Sequence, residues 1–265
     1  MKTILVPVGS SINAKSHLQY AVDFAKAFGA KLYVVQIYNV YTKAGTMIKV
    51  DHILERESNA FLTELVSAID TKDVEVYTRI FKGDLIDTLD KVCNALDVDL
   101  MILEPRTNSI KESVYLGKTS GKIVKRTQIP ILIVPEGCEY KPIVKILIAL
   151  KSAIIKREGV LKPLISIKNQ FRAVVNALLV KTPYHKEEDF ILNEELKSIL
   201  TNIVYAESPT TFQAVLEHYK NHSPDLLCVV RRKRGFFSKL WENNTILKKD
   251  FHSSVIPVLV LSGMK

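Results

Sequence analysis

ILVPVGS at residues 4–10 decides the fold, because it returns as ILIALKS at 146–152 and brings three other segments back in the same order. KLYVVQIYN (31–39) is matched by RAVVNALLV (172–180), LDVDLMILEPR (96–106) by NHSPDLLCVVRR (221–232), and IPILIVP (129–135) by IPVLVLS (256–262). Self-similarity of this kind marks two copies of one structural unit. Each segment is a nearly continuous aliphatic or β-branched run, which is how a strand buried on both faces of a parallel sheet reads.

Between these runs the period changes to that of a helix. Leu18, Ala21, Val22, Ala25 and Phe28 share one helical face, as do Leu85, Ile86, Leu89, Val92, Cys93 and Leu96 behind an Asp84 cap. In the second copy Phe212, Val215, Leu216 and Tyr219 repeat the pattern behind Ser208 and Pro209, a pair suited to capping and starting a helix. That copy is the shorter one, with room for a helix around 187–200 and a brief strand from Ile203 to Ala206. Strand–helix alternation with right-handed crossovers predicts an α/β protein of two tandem doubly wound, Rossmann-like domains, each an open parallel sheet of about five strands flanked by helices. The pattern breaks at GCEYKP (137–142), which sets the domains at 1–138 and 141–265.

Composition agrees with two compact units. At 265 residues the chain fits two domains of about 130 each. Hydrophobic residues make up 47% and charged ones 25%, a globular balance. The apolar run after Lys2 is too short for a secretory signal, and no run approaches the roughly 18 residues of a membrane span. Cys93, Cys138 and Cys228 are widely spaced, with no C-x-x-C, so neither a disulfide framework nor a zinc site is indicated and a reducing, cytoplasmic location is expected. Residues 1–139 balance 17 Lys and Arg against 17 Asp and Glu, whereas 140–265 hold 20 against 11, so the net charge of +9 belongs to the second half. Such one-sidedness points to an anionic partner without choosing among phosphate ligand, acidic protein, membrane surface and nucleic acid.

The opening I-L-V-P strand, the D-L-[ML]-[IC]-[LV] strand and the closing I-P-[IV]-L-[IV]-[VL] strand together resemble the universal stress protein domain, here in tandem over essentially the whole chain. The resemblance implies the strand order 3-2-1-4-5 and final strands paired so that one chain forms an internal pseudo-dimer, with a further homodimer left open. It implies a stress-response or regulatory role, with ATP bound by some members and not by others. Those that bind it carry an Asp after the first strand and G-x2-G-x9-G-[ST] after the fourth, where bare main chain approaches the phosphates.

Carried onto this chain, the first nucleotide position consists of Val8, Gly9 in place of the Asp, Ile37, Glu104 and Thr107 in place of loop glycines, then Gly117, Lys118 and Thr119. Glu104 brings negative charge toward phosphates, and Pro105 removes an N–H donor. In the second copy Lys151 stands at the Asp position, Arg231 and Arg234 at the loop positions, and Asn244 and Thr245 at the final pair. Those five are the candidates for an anion site. A β-carbon at such glycines can forbid both a positive φ and close backbone approach, so the usual ATP cradle is not expected and no resident cofactor is assigned.

Sharper motifs weaken on inspection. LGKTSGK (116–122) ends like a phosphate-binding loop, but the full motif needs glycine where Glu112 stands, and a helix start accounts for it. RRKRGFFSKLW (231–241) mixes cations with aromatics; a solvated loop is the expected reading, with nucleic-acid or acidic-membrane association as the alternative. His218 and His222 have metal-compatible spacing but no evident third ligand, and the cysteines have no neighbouring base. The expectation is a non-enzymatic regulatory protein that works through protein partners or a small ligand other than ATP. An adenine-nucleotide or phosphate sensor is the alternative, and nucleic acid is not the expected partner.

Overall fold

The computed structural model describes residues 1–39, 47–105, 116–155, 157–231 and 256–263. The chain divides into two compact units, Met1–Glu104 and Pro105–Lys265.

The first unit runs β1 (Thr3–Pro7), α1 (Ala14–Phe28), β2 (Lys31–Tyr38), α2 (Met47–Ser67), β3 (Val76–Lys82), α3 (Leu85–Ala95) and β4 (Leu100–Leu103). Its strands lie in the order β3-β2-β1-β4 and are parallel, with Ile4 beside both Leu32 and Leu100. Ile4, Leu5 and Val6 of β1 and Leu100, Met101 and Ile102 of β4 are wholly buried, as the unbroken aliphatic runs require. The α1 face expected from its period is buried at Leu18, Ala21, Val22 and Ala25, joined by Phe24, whose ring lies 4.9 Å from that of Phe28. Gly29 ends this helix in the left-handed region at φ 58°, returning its N–H to Lys26 O. Asp84 caps α3 as predicted, accepting from the N–H groups of Ile86 and Asp87.

The second unit runs α4 (Lys118–Arg126), β5 (Ile131–Ile133), β6 (Lys145–Leu150), α5 (Lys162–Phe171), β7 (Val174–Lys181), a 3-10 turn (Glu187–Phe190), α6 (Glu194–Ile199), β8 (Asn202–Glu207), α7 (Thr211–His222), β9 (Leu226–Arg231) and β10 (Val258–Ser262). The parallel strands β8-β7-β6-β9-β10 reproduce the order 3-2-1-4-5, and β5 joins them antiparallel to β10, with Val258 opposite Ile133 and Val260 opposite Ile131. The fold is therefore α/β, two tandem Rossmann-like repeats. The compact division falls earlier than the repeat boundary expected at 138–141, because β5 closes the first repeat in sequence yet hydrogen-bonds to the last strand of the second.

Two local expectations are corrected. The single helix around 187–200 is a 3-10 turn followed by a short α6, because the Asn193 side chain accepts from Leu196 N–H at 2.8 Å and restarts the helix there. The cap of α7 is Thr210 rather than Ser208: the Thr210 hydroxyl accepts from Gln213 N–H, while Ser208 N–H is still bonded to Lys181 O at the end of the sheet.

The geometry that the two repeats share includes one pair of aspartates. Asp99, just before β4, accepts from the main-chain N–H of Lys2 (2.6 Å) and Thr3 (3.1 Å); Asp225, just before β9, accepts from Val144 (3.0 Å) and Lys145 (2.9 Å). Each carboxylate pins the start of the first strand of its repeat to the start of the fourth, satisfying donors that the sheet itself leaves open. Asp225 also pairs with Lys141 at 2.8 Å. Burial pushes its carboxyl upward, but the hydrogen bonds and charge of Lys141 and the two main-chain donors outweigh this and hold it below the ordinary range.

Candidate functional site

Open parallel sheets bind ligands beyond the carboxyl ends of their strands, where neighbouring crossovers leave in opposite directions. In the first unit that place lies between β1 and β4, which are adjacent and parallel. Past Pro7 the chain keeps one more sheet bond, Val8 N–H to Val35 O at 2.8 Å, and then turns at Gly9, whose carbonyl accepts from Ser11 N–H at 2.8 Å. The turn is tightened by the Ser11 hydroxyl oxygen, which accepts from Asn13 N–H at 3.2 Å. The same hydroxyl donates to Glu104 Oε1 at 2.6 Å.

Glu104 follows β4 directly and is buried. The Ser11–Glu104 bond therefore ties the end of β1 to the end of β4 across the mouth of the crevice, and its length is that of a charge-assisted O–H···O⁻ bond. Ile37 lies in β2, half-buried, beside Phe81 of β3. Thr107 lies outside the described residues.

Gly117, Lys118 and Thr119 belong to the second unit, where they begin α4. Gly117 is the N-cap, with φ −66° and ψ 167°, a conformation open to any L-residue, so the one surviving glycine of the family pattern is not held by a backbone requirement. Thr119 is exposed, whereas Ser120 is buried.

In the second repeat Lys151 follows β6 and is exposed. Arg231, one of the residues expected at an anion site, has its terminal nitrogens engaged within the chain. It ends β9, is only 4% exposed, and turns its guanidinium onto the carboxyl end of α4. One terminal nitrogen donates to Val124 O; the other donates to Thr127 O at 2.5 Å and to the Ser262 hydroxyl at 3.1 Å. Ser262 in turn donates to Gln128 Oε1 at 2.8 Å. A permanent cation here satisfies helix carbonyls and sits at the negative pole of the helix dipole, which is the physical reason it is drawn inward. Arg234, Asn244 and Thr245, with most of the basic segment 231–241, lie outside the described residues.

Sequence reasoning identified Glu104 and Arg231 but missed Ser11 and the destination of Arg231. The paired aspartates were legible as the D of D-L-[ML], repeated in both copies, although their task was not. Nucleophilic chemistry finds no support at the cysteines: burial pushes the Cys93 thiol up to about 12 and that of Cys138 up to about 11, and that of Cys228 still further. Among the described residues no cluster of His, Cys, Asp or Glu is arranged to hold a metal, and no helix is long and apolar enough to cross a membrane.

The comparisons with known proteins bear on this geometry. The model of the universal stress protein family matches residues 1–135. A curated relative, universal stress protein MJ0531 of Methanocaldococcus jannaschii, is 20% identical over 138 residues, which cover 50% of this chain and 81% of the relative. Among solved structures, a universal stress protein from Archaeoglobus fulgidus aligns over 98% of this chain and 96% of its own, at 16% identity and a TM-score of 0.71. PA1789 of Pseudomonas aeruginosa, a protein of unknown function, aligns over 99% of this chain and 92% of its own at 17% identity and a TM-score of 0.57. At these identities the structures speak for the fold of both repeats, and the family match over half the sequence speaks for descent: the chain belongs to the universal stress protein family.

Proposed function

We propose that this member of the family is a non-enzymatic, cytoplasmic stress-response regulator that does not take ATP in the family's usual manner and acts through protein contacts or another small ligand. The observation that carries the reading is the buried Glu104 carboxylate, bound to Ser11 where the phosphate loop of a nucleotide-binding member begins. A carboxylate about 4 Å from a phosphate charge costs on the order of 4 kcal/mol at the effective dielectric of a protein surface. A main-chain N–H bonded to a phosphate contributes about 1.5–3 kcal/mol. A single like charge at this place therefore outweighs any one donor the loop offers. In the second repeat, Arg231 gives its terminal nitrogens to carbonyls and a hydroxyl of its own chain.

Calorimetry of the purified chain with ATP and AMP, with and without magnesium, tests the reading. The expected result is no saturable heat up to about 1 mM nucleotide. Tight, magnesium-dependent binding of one nucleotide would overturn it. Native mass spectrometry of the freshly isolated protein then asks which other small molecule, if any, travels with it.

A further inference from the structure

The third strands of the two repeats, β3 and β8, differ sharply in how their edges are protected. On β3 the interior includes exposed Thr78 and Arg79, and Arg79 folds back to donate to Thr78 O at 2.8 Å. Charge of this kind discourages another strand from docking. On β8 the interior reads Ile203, Val204, Tyr205, Ala206, with no charge, and its large residues are exposed by 36%, 37% and 61% in turn. Glu207, the one charged residue of the strand, is neutralised by Lys181 of β7 at 2.8 Å. Among the described residues no strand pairs with the outer edge of β8.

We infer that this edge pairs with β8 of a second copy of the chain, antiparallel, about a two-fold axis at Val204. The phase of the main chain selects the register. Lys181 lies opposite Glu207, and Ser208 N–H bonds to Lys181 O, so Asn202, Val204 and Ala206 turn their main-chain groups toward β7. Ile203, Tyr205 and Glu207 turn theirs outward, since alternate residues of a strand address opposite edges. An antiparallel partner must meet outward residues with outward residues. Centres at Val204 and at Tyr205 both satisfy this within β8, and Val204 is chosen because each Ile203 then exchanges two hydrogen bonds with Tyr205 of the partner subunit, whereas a centre at Tyr205 would set each Ile203 against the carboxylate of Glu207 of the partner subunit.

The chemistry is self-complementary. Two β-branched–aromatic pairs form on one face, the type of cross-strand contact that stabilises sheets, and two valines meet on the other. No like charges stand opposite each other. An isologous contact of this kind closes as a dimer instead of propagating. The choice of a second copy over a foreign strand rests on this match of the strand with itself, and it is independent of how the nucleotide question is answered.

Light scattering on the full chain is expected to give twice the monomer mass of 29.9 kDa at high concentration. Val204→Lys sets two ammonium groups against each other on the axis and is expected to weaken the dimer on the order of 100-fold with an unchanged circular dichroism spectrum. As a variant that keeps the strand apolar, Val204→Cys places two thiols at a non-hydrogen-bonded antiparallel pair, where Cα atoms stand about 4.5 Å apart, within disulfide reach. Mild oxidation is expected to give a reducible dimer on a gel, with wild type, bearing the half-buried Cys138, as the background. A chain that stays monomeric up to on the order of 100 μM leaves the edge to a different partner and overturns the inference. A dimer that survives Val204→Lys, or a Val204→Cys variant that fails to cross-link, places the contact elsewhere and overturns it equally.

Discussion

At the loop position after the fourth strand the two repeats carry opposite charges, Glu104 in the first and Arg231 in the second, and both are buried. The Ser11 hydroxyl donates to the carboxylate across the crevice; the guanidinium caps α4. The difference teaches that a family position built for bare main chain can be filled by either sign of charge once the chain itself supplies the counterpart. The carboxylate needs a donor and finds one at the β1 turn. The guanidinium needs acceptors, and the last carbonyls of a helix are the densest local source of them.

The largest effect that would break this comparison is expected from Arg231→Met, which keeps the apolar stem but leaves Val124 O, Thr127 O and the Ser262 hydroxyl to find new partners in a dry site. A loss of about 3 kcal/mol in urea unfolding is expected; a loss below about 1 kcal/mol would mean that the guanidinium is a passenger in the fold.

Next comes Asp225→Ala, which removes an acceptor shared by two main-chain donors and Lys141 and is expected to cost about 2 kcal/mol at pH 7. Its carboxyl is held below the ordinary value in the folded state, so its contribution is present above the unfolded value of about 3.9 and is lost as pH falls through the folded one. The gap between wild type and Asp225→Ala should therefore narrow below about pH 4, as read from paired unfolding curves at neutral and acid pH.

Smallest is Ser11→Ala, which leaves Glu104 buried without this donor. About 1.5 kcal/mol is expected, and restoring the donor as Ser11→Thr should recover most of it in the same unfolding measurement. Equal stability of the alanine and threonine variants would show that the crevice bond does not bear on the fold.

The second difference between the repeats lies in how their third strands are covered. Between β2 and β3 the first unit has α2, of 21 residues; between β7 and β8 the second has a four-residue 3-10 turn and the six-residue α6. The shorter cover leaves Ile203 and Tyr205 partly in solvent on its face of the sheet, although the ring of Tyr205 still lies 5.6 Å from that of Phe190 in the turn. The shortening was legible in the spacing of the repeats. Its consequence, an apolar edge, was not, because exposure depends on what lies above a strand as well as on the residues within it.

Aliphatic runs determined the strands, and their recurrence in order determined the two repeats, because burial on both faces of a parallel sheet admits few other residues. Helix periods and the Asp84 cap were equally local and equally readable. Tertiary structure alone decided where the polar groups go. Ser11 meets Glu104 across 93 residues of sequence and Arg231 meets Thr127 across 104, and β5 bonds antiparallel to β10, the last strand of the other repeat. Hydrophobic pattern is a property of each segment, whereas a buried charge is satisfied by whichever partner the folded chain brings within about 3 Å, and that distance is written nowhere in the order of the residues.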